Sequence, residues 1–458
     1  MSSANNHSTA IVHRHTSSYN DLPELRDTFL IKGRHYEQQY ANLYFVRLLQ
    51  LRKIVHEEAK RRWGKLKLKG HLREPKFVEK VLDVPPGELC YIIGTVYMDM
   101  EFKPCILDDI GQEYQLNTVP LKPKYTSPKD EVMLEDESGR VKLFGQRLKN
   151  EMLVTGIIIS VLGMETPAGG FEVLDFCVPG LAPQIPYSPM ETETKYVALA
   201  SGLNIGDDAS ETVELSMLLE YLTGELGSID DQKLSSRIVR VVLAGNSFAK
   251  PKQVEDDKKT KKYGYDSTTY DASPIKHVDR FLAQLTSSIS VDVMSGAQDP
   301  ATVHLPQPPL HPSLFPNSSC DSTLKTVTNP YWFELDGAIF LGTSGQPLDD
   351  MDKYMPEDAE DMRLPITERT LFWRHIAPTC PDTLWCYPFR DMDPFIMQQC
   401  PHVYFVGNQR EYATSVVEGS EGQRCRVVLV PSFSETKTIV LVNLSTLECT
   451  PLSFRVKL

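Results

Sequence analysis

Strand-like runs in the second half of the chain stop on a glycine beside a small polar residue, and this constrains the fold more than any other feature. Tyr196–Ala200 runs into Ser201, Gly202, Leu203 and Asn204, and Ile238–Ala244 into Gly245, Asn246 and Ser247. Residues 291–294 run into Gly296, Ala297, Gln298, Asp299 and Pro300, and residues 404–406 into Gly407, Asn408 and Gln409. Between them, Leu215, Leu218, Leu219, Leu222 and Leu226, then Val278, Phe281, Leu282, Leu285 and Ile289, recur at helical spacing. Strands alternating with amphipathic helices predict a layered α/β domain over residues 195–458, with its sharp turns where open sheets place ligands. Residues 250–273, crowded with Lys, Asp and Thr, predict a mobile loop within it, and residues 349–361 a second, acidic excursion. Residues 403–406, 426–430, 438–443 and 454–457 read as further strands.

Residues 81–178 have a different texture. Cys90, Tyr91, Ile92, Ile93 and Val96 form one strand-like run, and residues 153–162 another. Val132 and Leu134 face Val141 and Leu143 across an acidic, glycine-containing turn, which predicts a hairpin. Gly169 and Gly170 turn the chain into Phe171–Phe176, which alternates in period two. Short strands on tight turns over about 90 residues predict a five-stranded barrel of the oligonucleotide-binding type, with an open sandwich as the alternative. Tyr91, Tyr97, Phe144, Phe171 and Phe176 are candidate stacking platforms for single strands, but acids lie among them, and core filling is the simpler expectation.

The flanks complete the division. Residues 1–35, rich in Ser, His and Asn, predict a loose tail. Residues 36–80 predict a basic helical segment, with Tyr40, Leu43, Tyr44, Leu48, Leu51, Ile54 and Val55 at helical spacing. From Arg47 to Lys80 twelve Lys/Arg stand against four acids, an excess that suits a phosphate backbone, an acidic partner or simply a solvated helix face. Residues 179–194, with Pro179, Pro183, Pro186 and Pro189, predict a stiff linker.

A length of 458 residues fits two or three such domains, and the net charge of −13 argues against a protein that wraps nucleic acid. The longest nearly uncharged apolar run, residues 153–164, falls far short of the ~20 residues of a membrane span. Nine cysteines without C-x-x-C spacing read as reduced, buried thiols of an intracellular protein, and Cys380, Cys386, Cys400 and His402 lack zinc spacing. No nucleophile elbow or phosphate loop is present.

The strand-end frame resembles the calcineurin-like metallophosphoesterases, a β-sandwich with flanking helices whose motifs are D-x-H, G-D-x-x-D, G-N-H-D and G-H-x-H. Laid on this sequence, the metal-ligand positions fall on Gly202, Asn204, Asn246, Ala297, Gln298 and Asn408, and only Asp299 is kept. Two divalent ions about 4 Å apart repel by ~17 kcal/mol at an effective dielectric of ~20, which bridging carboxylates must offset. Glycine and alanine supply no donor, and the amides supply neutral oxygens only. No resident metal or other cofactor is therefore expected.

A barrel ahead of such a disarmed frame resembles the B-subunit family of the replicative DNA polymerases. The discriminating block is Gly296, Asp299 and Pro300, followed by Leu305, Pro306, Gln307, Pro308, Pro309, Leu310, His311, Pro312, Leu314, Phe315 and Pro316. It is similar to the G-x-x-D-P…L-P-Q-x-P-L-H-P-x-L-F-P signature of the delta branch. Read without that likeness, the prolines wedge a long crossover against the core. The resemblance implies a non-catalytic scaffold in the nucleus, serving replication and repair. Its implied partners are the cysteine-rich C-terminal domain of the catalytic subunit of DNA polymerase delta and the third polymerase delta subunit, with the sliding clamp and DNA reached indirectly. Two alternatives stay open: a phosphodiesterase or nuclease with rearranged ligands Asp299, His304 and His311, and a single-strand-binding module built on the barrel.

Overall fold

The computed structural model describes residues 12–33, 35–64, 75–104, 122–149, 151–188, 194–206, 212–250, 272–357 and 361–455. The excursion expected over residues 250–273 lies almost wholly outside them. Three six-stranded sheets organise the chain. The first strand in order, β1 (Tyr19–Asn20), belongs to the last of these sheets.

The barrel is built from β2 (Lys76–Phe77), β3 (Cys90–Asp99), β4 (Glu131–Glu135), β5 (Arg140–Phe144), β6 (Ile158–Glu165) and β7 (Phe171–Cys177). Strands pair in the order β2-β3-β4-β5-β7-β6, and β6 pairs back onto β3. That last pairing closes five strands into a barrel and removes the free edges an open sandwich would leave. The expected hairpin has the expected register, Val132 opposite Leu143 and Leu134 opposite Val141. Asp136 fixes its turn by accepting from the backbone N–H groups of Ser138 and Gly139 and, from outside the hairpin, of Val81.

One side of the barrel is covered by the helix Ala41–Trp63. Its Leu48, Leu51, Val55, Ala59 and Trp63 pack on Tyr91, Ile93, Ile158, Leu162 and Cys177. The Trp63 indole N–H donates to Asp175 at 2.9 Å, so the largest buried side chain leaves no unpaired polar atom.

The remaining strands form two sheets face to face. They are β8 (Tyr196–Ala200), β9 (Ile238–Ala244), β10 (Ser290–Met294), β11 (Leu324–Val327), β12 (Tyr331–Leu335), β13 (Ala338–Thr343), β14 (Val403–Gln409), β15 (Ala413–Glu418), β16 (Arg424–Pro431), β17 (Thr438–Asn443) and β18 (Cys449–Ser453). One sheet runs β11-β10-β9-β8-β17-β18 and the other β1-β12-β13-β14-β16-β15. Strands β8 to β11 are mutually parallel, as the strand–helix alternation requires. Leu199, Val242, Phe333, Phe340, Phe405 and Val428 lie in the core between the sheets. The helices Val213–Thr223 and Ser273–Thr286 cover the outer face of the first sheet. The outer face of the second meets the helices Gln346–Asp352 and Arg363–Trp373 and, in one continuous core, the barrel interior.

Three expectations change. From residue 12 on, the predicted loose tail is packed: Arg14 donates to the carbonyls of Leu222, Ser235 and Ile238, β1 pairs with β12, and Phe29 is buried. The predicted linker, where described, is stitched to the second sheet, with Gly180 and Leu181 carbonyls accepting from Arg374 and the Gln184 side chain bonded to Pro401 and Arg424. The acidic run from residue 349 begins inside a helix, where Asp350 is buried and accepts from Thr383. In each case tertiary partners satisfy backbone and charge that the local sequence leaves unexplained.

Candidate functional site

The four strand ends converge. Gly202 N–H donates to Gly245 O at 2.9 Å, Asn204 N–H to Asn246 O at 3.1 Å, and Asn408 N–H to Ser201 Oγ at 2.8 Å. The Asn408 amide nitrogen reaches Ala244 O at 3.1 Å and Ser344 O at 2.7 Å, tying β9 and the end of β13 to β14. Asn246 Oδ1 accepts from the Gln298 backbone N–H at 3.0 Å, which brings in the turn after β10. The backbone is left-handed here: φ is +62° at Gly202, +49° at Asn204, +53° at Asn246 and +58° at Asn408. Left-handed backbone at non-glycine residues persists where surrounding structure over-determines it, and it gathers at functional sites.

The donor set does not fit a pair of divalent metals. Ala297 is exposed, Gln298 is half-buried, and neither carries charge. Asp299 is buried, but its oxygens are taken by backbone N–H groups, Phe248 at 3.0 Å and Gly296 at 2.7 Å. Burial raises its pKa to about 6 even though those amide donors pull the other way. Asp299 is therefore a turn-former. Among the described residues no group of three or more His, Cys, Asp or Glu is placed to hold a metal ion.

The proline block spans two cores. Leu305 sits in the core shared with the barrel, and Leu310 and Phe315 lie under the helices of the first sheet. Pro306 is buried, Pro309 half-buried, and Pro300, Pro312 and Pro316 line the outside. Gln307, fully buried, donates to Gly296 O and Thr302 O and accepts from the amides of Asn329 and Gln346. The rearranged ligand set does not converge: His304 packs beside Tyr36 and Tyr387, while His311 closes a turn by accepting from the Ser313 N–H. On the barrel, Tyr91, Phe171 and Phe176 are buried, Tyr97 lies under Lys103 and Arg140, and Phe144 remains exposed.

The basic segment is only partly what its composition suggests. Arg47 is fully buried, with its guanidinium on Asp393 at 2.7 Å and on the carbonyls of Gly156, Pro378 and Cys380. Arg52 pairs with Glu137, Arg61 with Glu58 and Arg62 with Asp175. Residues 65–74 lie outside the described residues. His375 Nε2, 2.9 Å from the same Asp393, completes a buried triad that sequence reasoning missed. Arg47 lies 346 residues before Asp393, and no local pattern marks the three.

Comparison with known proteins agrees with this geometry. Residues 197–414 match the B-subunit family of DNA polymerase alpha/epsilon, and residues 39–176 match the DNA polymerase delta subunit OB-fold domain. A DNA polymerase delta small subunit of Arabidopsis thaliana is 43% identical over 98% of this chain and 98% of its own length. DNA polymerase delta subunit 2 of Drosophila melanogaster is 36% identical over 94% of this chain and 97% of its own. The DNA polymerase delta small subunit of Saccharomyces cerevisiae is 37% identical over 91% and 89%. Both domains and nearly the whole length are thus accounted for, and the chain belongs to the family of DNA polymerase delta small subunits.

Proposed function

We propose that the chain is a non-catalytic accessory subunit of a delta-type DNA polymerase, acting in the nucleus in replication and repair. On this reading the two face-to-face sheets are a calcineurin-like phosphoesterase fold that has lost its chemistry. The chain then joins the cysteine-rich C-terminal domain of the catalytic subunit to the third subunit, and through it reaches the sliding clamp and DNA. Any metal centre belongs to the catalytic partner.

One observation carries the proposal. Gly202, Asn204, Asn246 and Asn408 meet at the strand ends, and the nearby carboxylate, Asp299, is spent on backbone donors. Neutral amides cannot hold two dications against their mutual repulsion. The fusion of barrel and second sheet through one core supports a scaffold of fixed geometry. No helix among the described residues is long and apolar enough to cross a membrane.

Calorimetric titration of the purified chain with Mn²⁺, beside co-purification with the other polymerase subunits, tests this reading. We expect no metal binding tighter than about millimolar, no phosphodiester hydrolysis, and retention of both partners. Two tight Mn²⁺ sites with hydrolysis would sink it.

A further inference from the structure

A sheet that ends without a cover offers its backbone to another chain. Strand β15 ends the second sheet, paired on one side with β16 alone. Two backbone bonds fix its phase: the Gly419 N–H donates to Gln423 O, and the Arg426 N–H to His402 O on the far side of β16. In the antiparallel register that sets Ala413 opposite Leu429, residues Ala413, Ser415 and Val417 therefore bond to β16. Thr414, Val416 and Glu418 turn N–H and C=O outward. Among the described residues, no backbone group of another element bonds to these outward groups. The other edges of the paired sheets are blunted: β18 carries Pro451, β11 is four residues long with Lys325 among them, and β1 has two residues. Residues 413–417 hold neither proline nor charge.

The ends of β15 define what would pair with it. The helix Arg363–Trp373 packs on the strand, and the two share a pocket at either end. At the Ala413 end, a pocket of about 290 Å³ is lined by Glu357, Asp361, Arg363, Arg410 and Glu411. Arg363 is spent on Asp349 and Asp352, and Lys124 on Asp352. Glu357, Asp361 and Glu411 have no ion-pair partner among the described residues and face Arg410 alone, so this end is acidic. At the Glu418 end, a groove of about 430 Å³ is walled by Ile54, Val178, Pro179, Leu181 and Phe372 beside Gly419. Its charges cancel, Glu57, Glu58 and Glu421 against Arg61, Arg62 and Arg374, which leaves the apolar wall to select what enters.

We infer that an extended segment of another polymerase subunit adds to the free edge of β15, with a Lys or Arg in the acidic pocket at the Ala413 end and an apolar side chain in the groove at the Glu418 end. In such strand addition, main-chain bonds to Thr414 and Val416 supply affinity, and the end pockets supply register and direction. A second copy of this chain fits less well, because antiparallel self-pairing sets Glu411 of each copy against the Glu418 and Glu421 end of the other. The inference rests on the reading of the chain as an accessory subunit. It adds where one partner docks and in what conformation.

Hydrogen–deuterium exchange resolved to single amides, on the chain alone and on its assembly with the catalytic and third subunits, gives the direct test. The Thr414 and Val416 amides should exchange about tenfold more slowly in the assembly, while those of Ser415 and Val417, bonded to β16, are slow in both. Unchanged Thr414 and Val416 rates in an assembly that retains both subunits would overturn the inference and leave the proposed function intact. A chain that retains neither subunit would overturn the proposed function, and the inference with it. Slow Thr414 and Val416 amides in a dimer of the chain alone would put a second copy on the edge and so overturn the inference. Val416→Pro removes an outward donor where a sheet edge tolerates proline. It should weaken the affinity for one subunit about tenfold while the melting curve of the chain stays unchanged. Glu411→Lys, which leaves the backbone alone, should weaken the same contact and remove its salt sensitivity. Full affinity in both variants contradicts the inference.

Discussion

Arg47, read from composition as part of a basic surface, is instead the cation of a fully buried triad with Asp393 and His375. Burial alone would raise the Asp393 pKa, but the Arg47 guanidinium and then His375 hold it well below the usual carboxylate range. Removing one partner of such a pair leaves an uncompensated buried charge, which costs about 3–5 kcal/mol. Arg47→Met is therefore expected to lose that much stability in denaturant titration, whereas exposed Lys53→Met should shift it by less than about 0.5 kcal/mol. Burial, reinforced by Arg47, depresses His375 from 6.5 to about 4. The unfolded chain thus takes up a proton near pH 6.5 that the native state refuses until about pH 4, so stability falls as pH drops through that window. The loss from this residue approaches roughly 3 kcal/mol. Asp292 and Asp299, both raised by burial to about 6, act in the opposite sense, since the native state binds their protons first. His375→Gln, which keeps a donor for Asp393, should flatten the acid-side fall relative to the parent chain, and unfolding free energies from pH 7 to pH 4 measure it.

The helices and strands show where local pattern suffices. Val213–Thr223 and Ser273–Thr286 lie where their apolar periodicity puts them, the first ending at Gly224 with φ +87° rather than running on to Leu226. Ile229–Ser236 carried no such stripe and buries only two serines, though Ser228 and Asp231 form a capping box. The last strand is expected at residues 454–457, just past Pro451. The observed strand is Cys449–Ser453, and it tolerates the proline because β18 is a sheet edge paired on one side with β17 alone. Trp63 anchors the helix Ala41–Trp63 to the barrel with both its ring and its N–H. Trp63→Ala should cost about 3–5 kcal/mol. Trp63→Phe should recover most of the packing while leaving the Asp175 bond unmade, and equal losses for the two variants in denaturant titration would contradict this division.

Barrel and paired sheets do not behave as beads on a string, because one apolar core runs from Ile92, Val96 and Phe171 to Trp332, Ile339 and Leu341. Calorimetry of the chain should show a single endotherm. Arg47→Met, which loosens the contact between helix, barrel and residues 375–393, should split it in two, and a split already present in the parent chain would contradict a shared core. Much of this was legible in sequence: strand–helix alternation, a small barrel, and sharp turns of glycine and asparagine at the strand ends, since period and residue chemistry are local properties. The burial of Arg47, the docking of residues 12–33 and the conversion of a proline-rich linker into a fastened strap were decided only by tertiary structure. A lone charge or an extended segment takes its meaning from partners hundreds of residues away, and no local periodicity encodes them.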